Sequence, residues 1–367
     1  MPIKVMEKGA ADMRPQKGAV NTGDYQQGRM RTKEIMNKEP RISVHPLRFY
    51  GIPMAYTITL ISTEEKERLA GEHLHRIRYE IKSELYGCCI KLLSDDHTLR
   101  DTWQENFYPM SQNVRSHGRL FVFKDPAYPA DTVFFDPYSK TAFLFNVEYY
   151  GWVKSIALGL AGDILEDEHD VYSVHGACVD VLGKGLCIVG TSGAGKTTQT
   201  YGLLSDPHTR IVADDWFFSR VYGPDILAYG SEKNFYIRED LATIWKEFGG
   251  LVSTDGYDGE GRAVADVRWV VGKGRLLPLT TVHTVIILKR DVHDTEVLRA
   301  LSPKDGMELF VKNNYFNPHL LVTDSRKQSI RSRYFANLLD RTQLYLVNTT
   351  GTPHKTQKLI RSLAGTP

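Results

Sequence analysis

The stretch Leu186-Cys-Ile-Val189, followed by Gly190-Thr-Ser-Gly-Ala-Gly195-Lys196-Thr197-Thr198, limits what this chain can become more than any other. A short continuous apolar run reads as a strand buried on both faces. A glycine-rich turn follows at once, and Thr198 to Leu204 reads as the helix beyond it. Strand, GxxxxGK(S/T), helix is the order in which this motif forms a phosphate-binding P-loop (Walker A). The glycines let successive backbone N–H groups point inward at phosphate oxygens, and the helix N-terminus adds a positive field. Gly190, Thr191, Ser192, Gly193, Ala194, Gly195, Lys196, Thr197 and Thr198 are therefore the expected nucleotide-binding residues. Lys196 can reach the β- and γ-phosphates of ATP, and the Thr197 hydroxyl can ligate Mg²⁺.

One helix further on, Arg210-Ile-Val-Ala-Asp214-Asp215 is a short apolar strand ending in two carboxylates. In most P-loop proteins the acidic strand comes much later, so this short spacing narrows the field. Beside a bound triphosphate, adjacent carboxylates can divide the work. One holds the metal and the other accepts a proton from an attacking hydroxyl. Two acids opening a turn after a strand would be the bland alternative; the neighbouring P-loop favours function.

Ser173-Val-His175-Gly-Ala-Cys-Val, then the P-loop, then Val212-Ala-Asp214-Asp215 resembles the core of the HPr kinase/phosphorylase and phosphoenolpyruvate carboxykinase superfamily. That group carries a histidine on the strand before the P-loop and a double aspartate soon after it. The likeness to the ATP-type carboxykinases runs further. Gly151-Trp-Val-Lys154 is similar to their lysine motif, Ser231-Glu232-Lys233 to their glutamate-bearing segment, and Arg268 to their later active-site arginine. Leu344-Tyr-Leu-Val-Asn348-Thr is similar to their C-terminal strand, and the resemblance covers roughly residues 150 to 355. One departure stands out: those enzymes have a second lysine where this chain has Ser155. The resemblance implies an α/β fold with a P-loop core and mixed sheet, plus a smaller N-terminal α/β unit. It also implies Lys154 as a metal ligand or phosphate contact.

The chain has 367 residues, a quarter of them charged, and a net charge of only +2, the composition of a soluble globular protein. Nothing in that balance argues for nucleic acid or an anionic membrane as partner, and no run approaches a membrane-spanning length. Cys88, Cys89, Cys178 and Cys187 show no metal-ligand spacing, and a reduced, cytoplasmic protein is the simplest reading.

Residues 1–43 are polar and basic and read as a solvated arm; a segment wrapping a partner subunit of a homo-oligomer, or steering an acidic substrate, is the sharper alternative. Residues 44–148 read as an α/β unit. Met54 to Ile61, Leu120 to Phe123 and a hairpin across Asp136-Pro-Tyr-Ser are its expected strands, with a helix starting at Ser62 or Thr63 and charged residues running on toward Tyr86. Residues 149–367 form the expected kinase domain. Tyr149 to Leu165 reads as a helix with Ile156, Leu158, Leu160 and Ile164 on its apolar side. His175 is placed on a strand that turns back through Gly183-Lys-Gly185 into the P-loop strand, where it can bind a second divalent ion or contact the acceptor. A packed core histidine is its bland alternative.

Further along, Glu232 is expected to complete a metal shell with Thr197, Asp214 and Asp215, while Lys233 or Arg238 neutralises phosphate charge; an ion-paired strand end is the equal alternative. Gly249 to Gly261 reads as a mobile loop that fits a lid over substrates, with a plain surface insertion as the equal alternative. Arg268 offers a bidentate fork suited to a γ-phosphoryl group in transfer. Val282 to Leu288 and Leu344 to Asn348 read as strands, and 307–311, 331–339 and 354–363 as helices.

The leading expectation is a kinase that passes the γ-phosphoryl group of MgATP to a hydroxyl of a protein, peptide or small molecule. Asp214, Asp215, His175, Lys196 and Arg268 are its catalytic residues. A lyase acting on oxaloacetate, as the carboxykinases do, keeps the fold and changes the class. Against it stand the shortness of the chain and the lack of a counterpart to the carboxykinase substrate-binding arginine segment. A nucleotide-binding regulatory module without transfer is the third reading, and the intact aspartate pair speaks against it.

Overall fold

The computed structural model describes residues 57–252, 256–259, 261–316 and 319–364. The expected basic arm and part of the expected lid lie outside the described residues.

Among the described residues, two mixed sheets enclose one long helix. The first sheet has seven strands in the order Thr57–Leu60, Thr132–Asp136, Thr141–Phe145, Gly118–Phe123, Cys88–Ser94, Tyr79–Leu85 and Tyr108–Pro109. The helix that starts after the Ser62 cap ends at His73, short of Tyr86. Tyr79–Leu85 is instead a strand paired antiparallel with Cys88–Ser94. Its sequence alternates polar and less polar residues with period two, which puts Ser83 and Leu85 inside. A second helix, His97–Asn106, follows.

The second sheet carries the glycine-rich turn at 190–198, the expected P-loop. Lys184–Gly190, Leu279–Lys289 and Gln343–Asn348 run parallel, with Gly190 opposite Leu288 and Lys289 opposite Asn348. On the other side of the P-loop strand, Ala177–Val181 is antiparallel, and Thr209–Ala213 pairs antiparallel with that in turn. The hairpin Trp216–Tyr222 and Asp225–Gly230 continues the sheet. The expected strand through His175 is two strands. Tyr172–His175 pairs with Trp216–Tyr222, whereas Ala177–Val181 pairs with the P-loop strand. His175 therefore ends a strand at the point where pairing changes partner.

Helix Tyr150–His169 lies between the sheets, so it is buried on all sides instead of along one apolar stripe. Its Ile156, Leu158 and Leu160 pack in one core with Leu92, Leu120 and Leu144 of the first sheet and Trp216 and Phe218 of the second. Each large apolar side chain so buried contributes about 1.5–3 kcal/mol. The same helix buries Asp163 and Glu166, which are paired by helix Ser325–Asp340. Lys327 Nζ lies 2.9 Å from Asp163, and Arg331 Nη1 lies 2.5 Å from Glu166. Helices Pro303–Lys312 and Pro353–Leu363 complete the second half. All four cysteines are buried free thiols, and no described helix is long and apolar enough to cross a membrane.

Candidate active site

Strand direction explains why the P-loop and the aspartates meet. Thr209–Ala213 is two antiparallel steps from Lys184–Gly190, so both strands point the same way. Their C-terminal ends, where Asp214 and Gly190 sit, share one rim of the sheet. Ala177 begins the intervening strand at that same rim, and His175 lies just before it. Ligands of open α/β sheets bind at the carboxyl ends of the strands.

The loop itself has the geometry its glycines allow. Gly193 and Gly195 hold φ of 76° and 95°, a region closed to most side chains. Thr191, Ser192 and Gly193 are exposed, so the loop faces solvent. Helix Lys196–Leu204 begins at once, and Lys196 Nζ donates to the Gly190 carbonyl at 2.9 Å. Burial pulls the Lys196 ammonium below its usual range, and Asp215 opposes that shift. From the C-terminal strand end, Thr349 Oγ1 donates to the Ala194 carbonyl at 2.9 Å. Asn348 is turned away and pins the backbone at Asp291 and Asp294.

The two aspartates occupy contrasting surroundings. Asp214 is 3% exposed; its Oδ2 accepts from Tyr201 at 3.3 Å, and its buried Oδ1 has no partner. Burial, and then the charge of Glu232, hold its carboxyl well above the usual range. The Asp215 side chain is 43% exposed, 3.3 Å from His175 Nε2 and 3.5 Å from Lys154 Nζ. Burial would raise it, but Lys154, His175 and Lys196 outweigh that and hold it well below the usual range. Adjacent carboxylates driven apart in this way are suited to different proton roles.

Lys154 from the central helix ties the cluster together. Burial disfavours its ammonium, yet Glu232, Asp215 and Asp214 more than compensate and hold it charged. It lies 3.3 Å from Glu232 Oε1. Glu232 Oε1 also accepts from Asn106 Nδ2 at 2.8 Å. Arg268 joins through Asn234, whose Oδ1 accepts from Nη2 at 2.9 Å, and is braced by Asp266 at 2.6 Å. Lys233 Nζ donates to the Gln104 carbonyl, and Arg238 pairs with Asp240 on the surface, so neither is drawn into the cluster.

Asn106, Tyr150, Tyr201 and His319 had no motif to announce them. The His319 ring stands 5.6 Å from that of His175 and 5.8 Å from Trp216. Burial and the neighbouring His175 lower its pKa to about 3, leaving a neutral imidazole. Tyr201 alone had a readable signal, because it lies on the helix that the P-loop opens.

Among the described residues, no group of three or more His, Cys, Asp or Glu is placed to hold a metal ion on protein donors alone. Mg²⁺ in phosphate sites asks for less, since it takes one or two carboxylates and fills its shell with phosphate oxygens and water. The unpartnered Oδ1 of Asp214 fits that need.

No family model matches the chain. An HPr kinase/phosphorylase from Chlorobium phaeovibrioides is 30% identical over 154 residues, 41% of this chain and 44% of the relative. An ATP-type phosphoenolpyruvate carboxykinase from Aeropyrum pernix is 30% identical over 146 residues, 37% and 29% of the two chains. A second HPr kinase/phosphorylase, from Prosthecochloris aestuarii, is 39% identical over 75 residues, 20% and 22% of the two chains. The chain thus spans less than half the length of these curated relatives. Among solved structures, the HPr(Ser) kinase/phosphatase from Coxiella burnetii is similar at 14% identity with a TM-score of 0.29, over 53% of this chain and 93% of that one. The curated relatives fit the HPr kinase/phosphorylase and phosphoenolpyruvate carboxykinase superfamily that the motifs resemble.

Proposed function

We propose that this chain is a Mg²⁺- and ATP-dependent phosphotransferase acting on a hydroxyl, carried by a serine or threonine of a protein or peptide or by a small molecule. One observation carries the reading: Asp215, half-open to solvent, sits among Lys154, His175 and Lys196 at the rim where the P-loop ends. The amides from Gly190 to Thr198 would hold the triphosphate, with Lys196 swinging from the Gly190 carbonyl to the β- and γ-oxygens. Asp215 is the assigned base. The acceptor oxygen attacks the γ-phosphorus, the bond to the β–γ bridging oxygen breaks, ADP leaves, and the acceptor proton passes to Asp215. Arg268, oriented by Asp266 and Asn234, would spread charge off the γ-phosphoryl oxygens.

Thr197 and Asp214 are the proposed Mg²⁺ contacts, with Asp215 left to the acceptor proton, Glu232 behind them and His175 the place for a second divalent ion. The metal, when bound, would neutralise charge on the β- and γ-oxygens. The four buried thiols are consistent with a cytoplasmic protein.

Lys154, placed within reach of both Asp215 and Glu232, favours a second reading as a carboxykinase-like lyase. Incubation with γ-labelled ATP and a fractionated cell extract separates the readings. Label on a protein, or on a metabolite without release of CO₂, supports the kinase; oxaloacetate-dependent release of CO₂ with label on the decarboxylated product supports the lyase. Label only as free phosphate with every fraction refutes both.

A further inference from the structure

Helix His97–Asn106 belongs to the first sheet, yet it ends on the segment that bears Glu232. The carbonyls of a last helical turn have no partner within the helix and must find one elsewhere. Here Lys233 N donates to the Asn106 carbonyl at 2.9 Å, and Lys233 Nζ donates to that of Gln104 at 2.6 Å. The Asn106 side chain completes the joint. Its Nδ2 donates to Glu232 Oε1 and to the Asn234 carbonyl, both at 2.8 Å, while its Oδ1 accepts from Tyr150 OH at 2.8 Å. Asn106 is 0% exposed, so these bonds are made away from solvent, where each is costly to lose. Asn234 in turn holds Arg268 through its own side chain.

We infer that Asn106 is a positioning residue of the phosphoryl-transfer site. It fixes the Glu232 carboxylate against Lys154 and, through Asn234, sets the reach of Arg268. The first sheet is thereby a working part of the site, although 126 residues separate Asn106 from Glu232. A primary amide suits the task because it donates two protons and accepts one bond at a single buried point. Aspartate would set a second carboxylate against Glu232, and leucine would leave Glu232, Asn234 and Tyr150 each short of a partner. The inference rests on the kinase reading for its consequence but not for its geometry, and the test separates the two.

The experiment is a double-mutant cycle on the full chain, with Asn106→Ala and Glu232→Gln, read by transfer rate, by Mn²⁺ binding with ATP, and by the side-chain amide NMR signals of Asn106. Expected are a fall in kcat of about tenfold or more in Asn106→Ala with a smaller change in ATP affinity, weaker Mn²⁺ binding, and a much smaller effect of Asn106→Ala once Glu232 is already Gln. The Asn106 amide signals should shift in Glu232→Gln. Tyr150→Phe, which keeps Asn106 but removes its donor, should give a milder form of the same loss and guards against a misfolded Asn106→Ala. Equal fractional losses in both backgrounds, or amide signals indifferent to Glu232, would overturn the inference while leaving the P-loop reading intact. Absence of ATP binding in the unmodified chain, with the amide shift present, would overturn the kinase reading and keep the joint.

Discussion

Tyr201 OH donates to Asp214 Oδ2 across 3.3 Å, tying the P-loop helix to the aspartate pair through a phenol that is fully buried. The other oxygen of Asp214 has no partner, and burial together with Glu232 raises its pKa well above the usual range. A raised acid means that the folded chain keeps a proton which the unfolded chain releases near pH 3.9, the usual carboxylate value. Stability is therefore lost as pH rises from that value through the folded pKa. Asp214→Asn should raise Tm by a few degrees at pH 8 in EDTA, with a much smaller gain at pH 4. Transfer should fall by about 100-fold or more if Asp214 is the proposed metal contact. Differential scanning calorimetry at the two pH values decides; an equal gain at both, or a loss at pH 8, would contradict the account.

Lys196→Ala tests the loop itself. Among the described residues Lys196 Nζ donates only to the Gly190 carbonyl, so its removal breaks one hydrogen bond of the fold. Transfer should drop by about 10²–10³-fold, the size seen when one preorganised charge contact to a transition state is lost. Circular dichroism and Tm should stay close to those of the unmodified chain. Retained activity in this variant would sink the phosphate-binding role.

Much of the candidate site is legible in the sequence, because its parts lie on short, local patterns. The P-loop needs positive φ at glycines just after a buried strand, and Asp214 and Asp215 follow the next strand in a run of six residues. What could not be read depends on contacts made far along the chain. Asn106 reaches Glu232 through tertiary packing, and His319 meets His175 from the C-terminal half. The central helix was legible as a helix but not as a buried layer, since a second sheet covering its far side leaves no local trace. The Tyr79–Leu85 strand was hidden for a different reason: Glu80, Lys82 and Glu84 occupy its outer face and resemble helix surface. The strand break at Gly176 shows only when His175 and Ala177 are seen pairing with different neighbours.

Arg268 presents a planar fork, with Nε and Nη2 on Asp266 and Nη2 also on Asn234. A lysine can hold one of these contacts but not the fork, and it has no fixed plane to offer a phosphoryl group. Arg268→Lys should therefore lower kcat by about tenfold to 100-fold while the dissociation constant for ATP changes little. Single-turnover rates against equilibrium nucleotide binding give the comparison. A variant whose ATP affinity collapses while its single-turnover rate survives would show that Arg268 serves ground-state binding instead.

Arg331 supports the site from behind. It is 1% exposed, meets Glu166 at 2.5 Å and the carbonyl of Ser173 at 2.7 Å, and so anchors the short strand that ends in His175. Breaking a buried pair on one side leaves the other charge stranded, at a cost of about 3–5 kcal/mol. Arg331→Met should lower stability by that amount in urea at neutral pH, because Glu166 loses its guanidinium and Ser173 its donor. Adding Glu166→Gln should restore part of the loss by removing the stranded charge, whereas a purely steric role for Arg331 would make the double variant no better than the single one. Lys327, 3.4 Å from the other Glu166 oxygen, limits how far the single variant falls. A loss well below 1 kcal/mol would mean that Lys327 alone satisfies Glu166 and that the strand bearing His175 is held by its sheet pairing with Trp216–Tyr222.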